Sequence, residues 1–262
     1  MRGPLNRITC SRPINLVTKL LANAFRAVAL LVFAWTSVSF ADERSSERTG
    51  SLRALLPAER ARELSEILPL DAELRWRVRV PRNEQAHGVL VFVNPSPSAE
   101  PQRGWEAVLD ARNLIWVSPV DFGNDKPSAQ RVLAALLGLA LVQGEQTVDS
   151  GRIYIAGMSG GGRIASKAIT KFPHLFTGAI YIVGVDYWTR AEDSLRASIA
   201  ANRYVFITGE KDFNRRETRR VYRKYQRAGI ERVLLMDLSG FGHEYPGVSD
   251  LDRALRFLDA GR

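Results

Sequence analysis

Cysteine is almost absent from this chain of 262 residues, which contains only Cys10. A disulfide needs two cysteines, so an intrachain disulfide framework is excluded. A chain of this length buries enough apolar surface to fold on its core alone, so the lack of bridges is compatible with an exported protein. Cys10 also precedes the apolar stretch described next, whereas the cysteine of a lipoprotein would follow it. Attachment of a lipid through Cys10 is therefore not expected.

Acidic residues are missing before Asp42, while five basic residues stand in the same N-terminal segment. That segment leads into AVALLVFAWTSVSFA, residues 27–41, which ends with small residues at the positions that a signal peptidase inspects. The pattern predicts a signal peptide over residues 1–41, cleaved near Ala41, and an exported protein, either periplasmic or secreted. The alternative is an uncleaved membrane anchor. The run is shorter than the ~20 apolar residues that span a bilayer, so we expect no stable membrane span after cleavage.

Positive charge is in modest excess once this segment is set aside, because the formal net charge of +9 falls to +4 for residues 42–262. Such a balance does not indicate a nucleic-acid partner. One basic cluster remains, NRRETRRVYRKYQRAG over residues 214–229, in a predicted helix with Val221 and Tyr225 on its inner face. A solvated helix face is the ordinary interpretation, and attraction to anionic lipid or to an acidic substrate is the alternative.

Internal repeats and low-complexity linkers are absent as well, so we expect one domain over residues 42–262, with its core over about 70–260. Its first residues form a polar, peripheral stretch, followed by a predicted helix in LPAERARELSEIL. LRWRVRV, residues 74–80, alternates apolar and charged residues as a strand near a sheet edge does.

The rest of the chain alternates between apolar runs and helical patterns. Six runs are almost continuously apolar, as strands buried on both faces are, and they cover residues 88–94, 113–119, 152–157, 178–184, 203–209 and 232–238. Helical patterns lie between several of these runs and after the last one. The alternation predicts an α/β fold with a mostly parallel, doubly wound sheet and helices on both faces.

A glycine-rich turn separates one of these strands from the helix that follows it, in the sequence Gly157-Met158-Ser159-Gly160-Gly161. A nucleophile elbow has this form, because its serine sits in a strained turn and small neighbours let the helix pack against the strand. A flexible loop and a phosphate-binding loop are the alternatives. The second lacks the spacing of a dinucleotide fingerprint and the lysine of a phosphate-binding loop. The pattern favours Ser159 as a nucleophile.

On these residues the chain resembles the α/β-hydrolase superfamily, over roughly residues 85–260. The resemblance implies that an acid and then a histidine follow the serine. Asp212 follows the strand at 203–209, and His243 ends the glycine-rich loop after the strand at 232–238. We therefore expect Ser159 as nucleophile, His243 as general base and Asp212 as the acid that orients it. Three other carboxylates near strand ends are lesser candidates for the acid: Asp186, Glu210 and Asp237.

The choice of histidine is narrow, because the chain has only three. His174 lies between the elbow helix and the next strand, where a surface role is expected. His87 precedes a core strand and is expected at the opposite end of the sheet from Ser159. His243 is the remaining candidate.

The resemblance also implies an oxyanion hole, with the backbone N–H of Gly160 as one donor. The second donor is expected in the loop Asn94-Pro95-Ser96-Pro97-Ser98, where many relatives carry His-Gly instead. Proline has no N–H to give, so Ser96 is the better donor and Ser98 the alternative.

The motifs look broadly similar to those of esterases of the polyhydroxybutyrate-depolymerase kind, which implies a carboxylic-ester hydrolase that needs no metal and no cofactor. The segment between the strands at 178–184 and 203–209 is short, so the lid should be short or missing and the site open. We expect Tyr187, Trp188 and Tyr245 as the aromatic lining of the site, with Asn94 and Met158 as further substrate-binding residues. The expected partner is a small-molecule ester or the end of a polyester chain.

Three other functions remain open from the sequence. A serine peptidase or an acyltransferase would use the same three catalytic residues, and a non-catalytic binding module could share the scaffold. The sequence does not indicate an oligomeric state.

Overall fold

A single sheet of eight strands organises the protein, whose computed structural model describes residues 45–83, 85–188 and 194–260. The strands, in chain order, are β1 (Ser45–Gly50), β2 (Leu74–Arg79), β3 (His87–Val93), β4 (Leu114–Pro119), β5 (Val148–Met158), β6 (Gly178–Ile182), β7 (Arg203–Gly209) and β8 (Val233–Leu238). Their order across the sheet is β1-β2-β4-β3-β5-β6-β7-β8. The predicted signal peptide, residues 1–41, lies outside the described residues.

Six neighbouring strands of the sheet, from β4 at one side to β8 at the other, run parallel. The strands β1 and β2 are antiparallel additions at the β4 side. Parallel neighbours need a crossover connection, and right-handed crossovers place helices on the faces of the sheet. The predicted α/β fold with a mostly parallel sheet is confirmed.

Eight helices are described: α1 (Leu52–Leu55), α2 (Ala58–Leu64), α3 (Trp105–Ala111), α4 (Ser128–Glu145), α5 (Gly160–Lys171), α6 (Arg196–Ala200), α7 (Arg215–Arg227) and α8 (Val248–Asp259). They build two cores, one on each face of the sheet. One core holds buried residues of α4, α5 and α7, and the other holds those of α3 and α8. Along β3, Val89 and Val91 point into the first core while Leu90 and Phe92 point into the second, as the two-residue period of a strand requires.

At the sheet edges, one strand was not predicted from the sequence and one prediction was wrong. The polar residues 45–50 form β1, which pairs with β2 over its whole length, so the sheet begins earlier than expected. Strand β8 was predicted to be buried on both faces, yet it lies at the sheet edge and only Met236 of its residues is buried. Strand β2, by contrast, lies next to an edge, as its alternating pattern predicted.

The parallel strands determine where a site forms, because loops at their carboxyl ends meet at one edge of the sheet. Ser159 follows β5, Asp212 follows β7 and His243 follows β8, all at that edge. Among the described residues, none of the helices is both long and apolar enough to cross a membrane.

Candidate active site

Ser159 occupies a strained backbone conformation between β5 and α5, with φ of 52° and ψ of −119°. A residue with a side chain rarely adopts this region, and such strain is concentrated at functional sites. Close packing holds the turn in place. A Cβ at Gly157 would overlap the carbonyl group of Gly161, and a Cβ at Gly161 would overlap the carbonyl oxygen of Val93. The glycines around Ser159 therefore have a packing reason, as the elbow hypothesis predicts.

Three of the side chains singled out in the sequence lie in a continuous hydrogen-bonded row. His243 Nε2 is 2.9 Å from Ser159 Oγ, and His243 Nδ1 is 2.9 Å from Asp212 Oδ1. An ionised carboxylate only accepts hydrogen bonds, so Nδ1 carries the proton and its N–H donates a hydrogen bond to Asp212. Nε2 is then the acceptor that faces the serine hydroxyl. The loops after three different strands bring these residues together.

Asp212 is held rigidly, with its side chain fully buried. Thr208 Oγ1 donates to Asp212 Oδ2 at 2.6 Å, and the backbone N–H of Asn214 donates to Oδ1 at 3.0 Å. The side chain of Asn214 in turn donates to the carbonyl oxygen of Val183, just after β6. These contacts fix the carboxylate in the orientation that faces His243.

The other three carboxylates have different partners. Asp186 pairs with Arg163 and Lys167, and Asp237 pairs with Arg215. Both therefore point away from the histidine, toward helices α5 and α7.

Glu210 anchors the loop that carries His243. Its carboxylate accepts hydrogen bonds from the backbone N–H of Gly240 at 2.8 Å and from Ser239 Oγ at 2.9 Å. The same two hydrogen bonds lower the pKa of Glu210. Glu210 thus supports the loop that carries His243 and bonds to Ser239 and Gly240 instead of the imidazole.

The expected oxyanion donor Gly160 is the first residue of α5. The first N–H groups of a helix lack an intrahelical acceptor, so this one is free to bind an oxyanion. Ser96, the expected second donor, is exposed, and its hydroxyl donates to Asn94 Oδ1 at 3.3 Å. The alternative donor, Ser98, is exposed as well.

A buried arginine that the sequence analysis did not single out organises this side of the site. Arg131, on α4, is only 4% exposed and donates to the carbonyl oxygens of Phe122 and Asn94 and to the Asn124 side chain. The Asn124 side chain lies directly against Gly160: a Cβ placed at Gly160 would overlap it. Burial lowers the pKa of Arg131 to about 10, so it remains a cation at neutral pH. Its one sequence signal is a charge within the apolar run of α4.

The expected lining residues differ in exposure. Tyr245 is half-buried; it donates its hydroxyl hydrogen to Asn94 Oδ1 at 2.5 Å, and its ring packs edge-on against Trp105. Burial raises the pKa of Tyr245, against the opposing effect of the Asn94 hydrogen bond. Asn94 is 3% exposed, and Met158, at the end of β5, is 7% exposed and packs in the core beside α3 and α8, so neither offers much surface to a ligand.

The prediction for Trp188 needs correction. This residue is only 6% exposed, and its ring stacks on Tyr187 and packs edge-on against Tyr225 of α7. Trp188 belongs to the core beneath α7 instead of the site lining. The sequence around an aromatic residue that follows a strand does not distinguish a core position from a position in the site lining.

A second aromatic contact was not anticipated. Phe213 is 76% exposed, the largest exposure of a big apolar side chain among the described residues, and its ring stacks on that of His243. It is the residue directly after Asp212. In the sequence, only its position next to Asp212 could have indicated a contact with His243.

The other two histidines lie away from this row. His87 begins β3 and contacts the Asn113 side chain, at the opposite end of the sheet from Ser159, and His174 is exposed. Within the ranges described above, no three His, Cys, Asp or Glu side chains are grouped as metal ligands are.

Comparison with known proteins supports the fold assignment. The prolyl oligopeptidase family matches residues 135–236, which is less than half of the chain. Curated proteins give no significant match.

Solved structures are similar over most of the chain. A ferulic acid esterase superposes with a TM-score of 0.61 at 17% identity, covering 82% of this chain and 98% of that chain. The S-formylglutathione hydrolase of Staphylococcus aureus superposes with a TM-score of 0.60 at 13% identity, covering 84% of this chain and 99% of that chain. The fluorophosphonate-binding serine hydrolase F of the same organism superposes with a TM-score of 0.62 at 11% identity, covering 82% of this chain and 99% of that chain. Together with the strand order and the elbow, these similarities show that the chain has the α/β-hydrolase fold.

Proposed function

We propose that this protein is a serine hydrolase that cleaves carboxylic esters through an acyl-enzyme intermediate. The observation that carries the proposal is the row Ser159–His243–Asp212, with both hydrogen bonds at 2.9 Å. A serine hydroxyl is a weak nucleophile until a neighbouring base takes its proton. The strained turn at Ser159 adds support, because it exposes the hydroxyl above the sheet edge.

In the first half of the reaction, Ser159 Oγ attacks the ester carbonyl carbon while its proton moves to His243 Nε2. Asp212 stabilises the imidazolium that forms. The negative carbonyl oxygen of the tetrahedral intermediate binds the Gly160 N–H, with Ser96 as the proposed second donor. Such a donor is worth roughly 3–4 kcal/mol of transition-state stabilisation. The bond to the alcohol then breaks, and His243 returns the proton to the departing oxygen.

In the second half, water replaces the alcohol. His243 takes a proton from the water as its oxygen attacks the acyl carbon, and the resulting tetrahedral intermediate collapses with release of the acid. Ser159 recovers its proton from His243.

The similar solved structures also favour an ester substrate. Two of the similar structures are named as a ferulic acid esterase and an S-formylglutathione hydrolase. Hydrolysis of p-nitrophenyl esters of graded acyl length, on residues 42–262, tests the proposal. Turnover that rises to an optimum length and disappears in Ser159→Ala supports it, and no turnover at any length contradicts it.

A serine peptidase is the second candidate, favoured by the match of residues 135–236 to the prolyl oligopeptidase family. The two candidates share the nucleophile and differ in the leaving group. Parallel assays with p-nitrophenyl esters and aminoacyl p-nitroanilides of the same acyl group separate them. The ester hydrolase proposal expects kcat/KM to favour the ester far beyond the intrinsic difference in reactivity of the two bonds.

We also propose that the protein is exported, which rests on the basic and apolar pattern of residues 1–41. Protein recovered from a secreting host should begin at Asp42 or a close neighbour. Recovery of membrane-bound chains that retain Met1 would contradict export with cleavage.

A further inference from the structure

A groove of about 390 Å³ opens along helix α7 and is bounded by Phe213, whose ring stacks on that of His243. Six residues line it: Asp212, Phe213, Arg215, Arg216, Arg219 and Arg223. Four of them are arginines, and the single carboxylate is the acid of the proposed triad. The groove is therefore strongly basic at the point where it meets the site.

Helix geometry gathers these arginines along one side. Arg216, Arg219 and Arg223 are spaced three and four positions apart, so they lie above one another on the same face of α7. Two turns of helix separate the first from the last, which is roughly 10 Å along the axis. The groove thus offers a row of guanidinium groups instead of one isolated charge.

The charge of this row is only partly neutralised. Arg215 makes two hydrogen bonds to Asp237, and Arg219 lies 3.6 Å from the same carboxylate. Arg216 and Arg223 are exposed and make no ion pair with any residue that the structure describes. A guanidinium that is not paired within the protein is available to bind an anion from outside.

Asp212 does not cancel this charge. Its side chain has no exposed surface, and its oxygens already accept hydrogen bonds from His243, Thr208 and Asn214. A ligand in the groove meets the arginines and the ring of Phe213, not the carboxylate. The positive potential is therefore directed outward.

Phe213 connects the groove to the reacting atoms. Its ring stacks on the His243 ring with centroids 4.0 Å apart, and it is also a wall of the groove. A substrate whose carbonyl lies at Ser159 can extend across the face of Phe213 and reach the arginines. The apolar ring suits the chain of such a substrate, and the arginines suit its end.

We propose that this groove binds a carboxylate on the ester substrate, at the end remote from the bond that is cleaved. Guanidinium groups match the geometry of a carboxylate and bind it with paired hydrogen bonds. The substrate class is then an ester with an anionic terminus, such as a monoester of a dicarboxylic acid. This inference rests on the proposed ester hydrolase function.

The test compares p-nitrophenyl monoesters of adipic, suberic and sebacic acid with the matching esters that end in a primary amide. The two ends are similar in size and differ in charge. At low salt the carboxylate ester should show the higher kcat/KM, by about fivefold at the best chain length, mainly through a lower KM. Added salt should reduce this ratio, because the arginines are exposed.

Variants locate the effect. In the double variant Arg216→Gln and Arg223→Gln, the kcat/KM for the carboxylate esters should become nearly equal to that for the amide-ended esters. Arg220→Gln is the matched control, since Arg220 lies on the same helix, is exposed and does not line the groove. It should leave the ratio unchanged. An equal kcat/KM for both esters at every chain length, or a preference that survives the double substitution, overturns the inference.

The outcome is distinguishable from failure of the proposed function. Hydrolysis of the amide-ended esters without any preference for the carboxylate rejects the groove alone. No hydrolysis of either series, with Ser159 unreactive toward a fluorophosphonate, rejects the ester hydrolase and the groove together. A last experiment measures binding of the protein to vesicles that contain an anionic phospholipid. Binding to them that depends on Arg216 and Arg223, with no substrate preference, would assign the arginines to a membrane surface instead.

Discussion

The phenyl ring of Phe213 lies nearly parallel to the imidazole ring of His243, with an interplanar angle of 23° and centroids 4.0 Å apart. This stack covers one face of the base, while Ser159 and Asp212 engage its two nitrogens. We expect this contact to favour the rotamer in which both hydrogen bonds form. The exposed aromatic ring is thus a candidate for positioning the proposed base.

Replacement of Phe213 tests this positioning role. Aromatic pairs contribute about 0.5–1.5 kcal/mol beyond their buried area, so Phe213→Ala should lower kcat by roughly two- to tenfold on a short neutral ester. Phe213→Tyr keeps the ring and should retain most of the activity. The melting temperature should change little, because the ring is exposed. Equal kcat values for the alanine variant and the wild type would show that the stack has no role in catalysis.

The assignment of the acid predicts a ranking among three variants. Asp212→Asn should lower kcat by several orders of magnitude, because His243 loses control of its tautomer. Asp186→Asn and Asp237→Asn break ion pairs with arginines and should alter stability by about 1 kcal/mol with little effect on kcat. Steady-state kinetics and thermal unfolding of the three proteins check the ranking. If Asp186→Asn or Asp237→Asn proved the most damaging to kcat, the role would pass to that residue.

Arg131 is predicted to position the loops around the elbow. Arg131→Met removes its donors to Phe122, Asn94 and Asn124. The hydrogen bond to the Asn94 carbonyl oxygen is buried, whereas Asn124 is exposed and its oxygen can bind water. An unsatisfied buried acceptor costs about 1–3 kcal/mol, so the melting temperature should fall. Stability alone does not identify a positioning role. The rate of fluorophosphonate labelling per folded molecule should also fall, when it is measured at temperatures at which the variant is still folded. A rate equal to that of the wild type would leave Arg131 with a purely structural role.

Asp259 lies at the opposite end of the sheet from Ser159, and its replacement should change stability without affecting the site. Burial acts to raise the pKa of Asp259, but hydrogen bonds from Tyr154, Arg152 and Arg112 outweigh it, and the pKa is lowered. A carboxyl whose pKa is lowered by folding stabilises the protein above its unfolded value of about 3.9, and the contribution is lost as pH falls through the folded value.

Asp259→Asn should therefore destabilise the protein at neutral pH, by about 1–3 kcal/mol. The difference from wild type should shrink as the pH is lowered below about 4. Asp252→Asn is the control on the same helix, since Asp252 is more exposed and should matter less. Thermal unfolding between acidic and neutral pH measures both. A difference that stays constant over this range would contradict the lowered pKa.

Sequence reasoning predicted the fold well where the pattern follows from burial. Strands β3 to β7 are buried over the apolar runs that marked them, which in β5 begins at Ile153. The edges were harder to assign, because an edge strand such as β1 or β8 needs backbone partners but not an apolar pattern. Residues 45–50 are polar and still form β1, since β2 supplies their hydrogen bonds.

The site shows the same division between local and long-range information. Ser159 was detectable because the elbow imposes glycine on its neighbours within a few residues. Arg131, Phe213 and Trp188 depend on which elements pack together, which a local pattern does not encode. Trp188 was misplaced for this reason, because its partner Tyr225 is distant in the sequence and lies on α7.

If Ser159 is a nucleophile activated by His243, a fluorophosphonate probe should react with it. We expect stoichiometric labelling of the wild type at Ser159, located by mass spectrometry of the peptide. Ser159→Ala should abolish labelling and change the free energy of unfolding by no more than about 1 kcal/mol. His243→Ala should suppress labelling nearly as well, because the two residues act as a unit. Folded wild-type protein that resists the probe and hydrolyses no ester would contradict the account, and a binding module on the hydrolase scaffold would replace it.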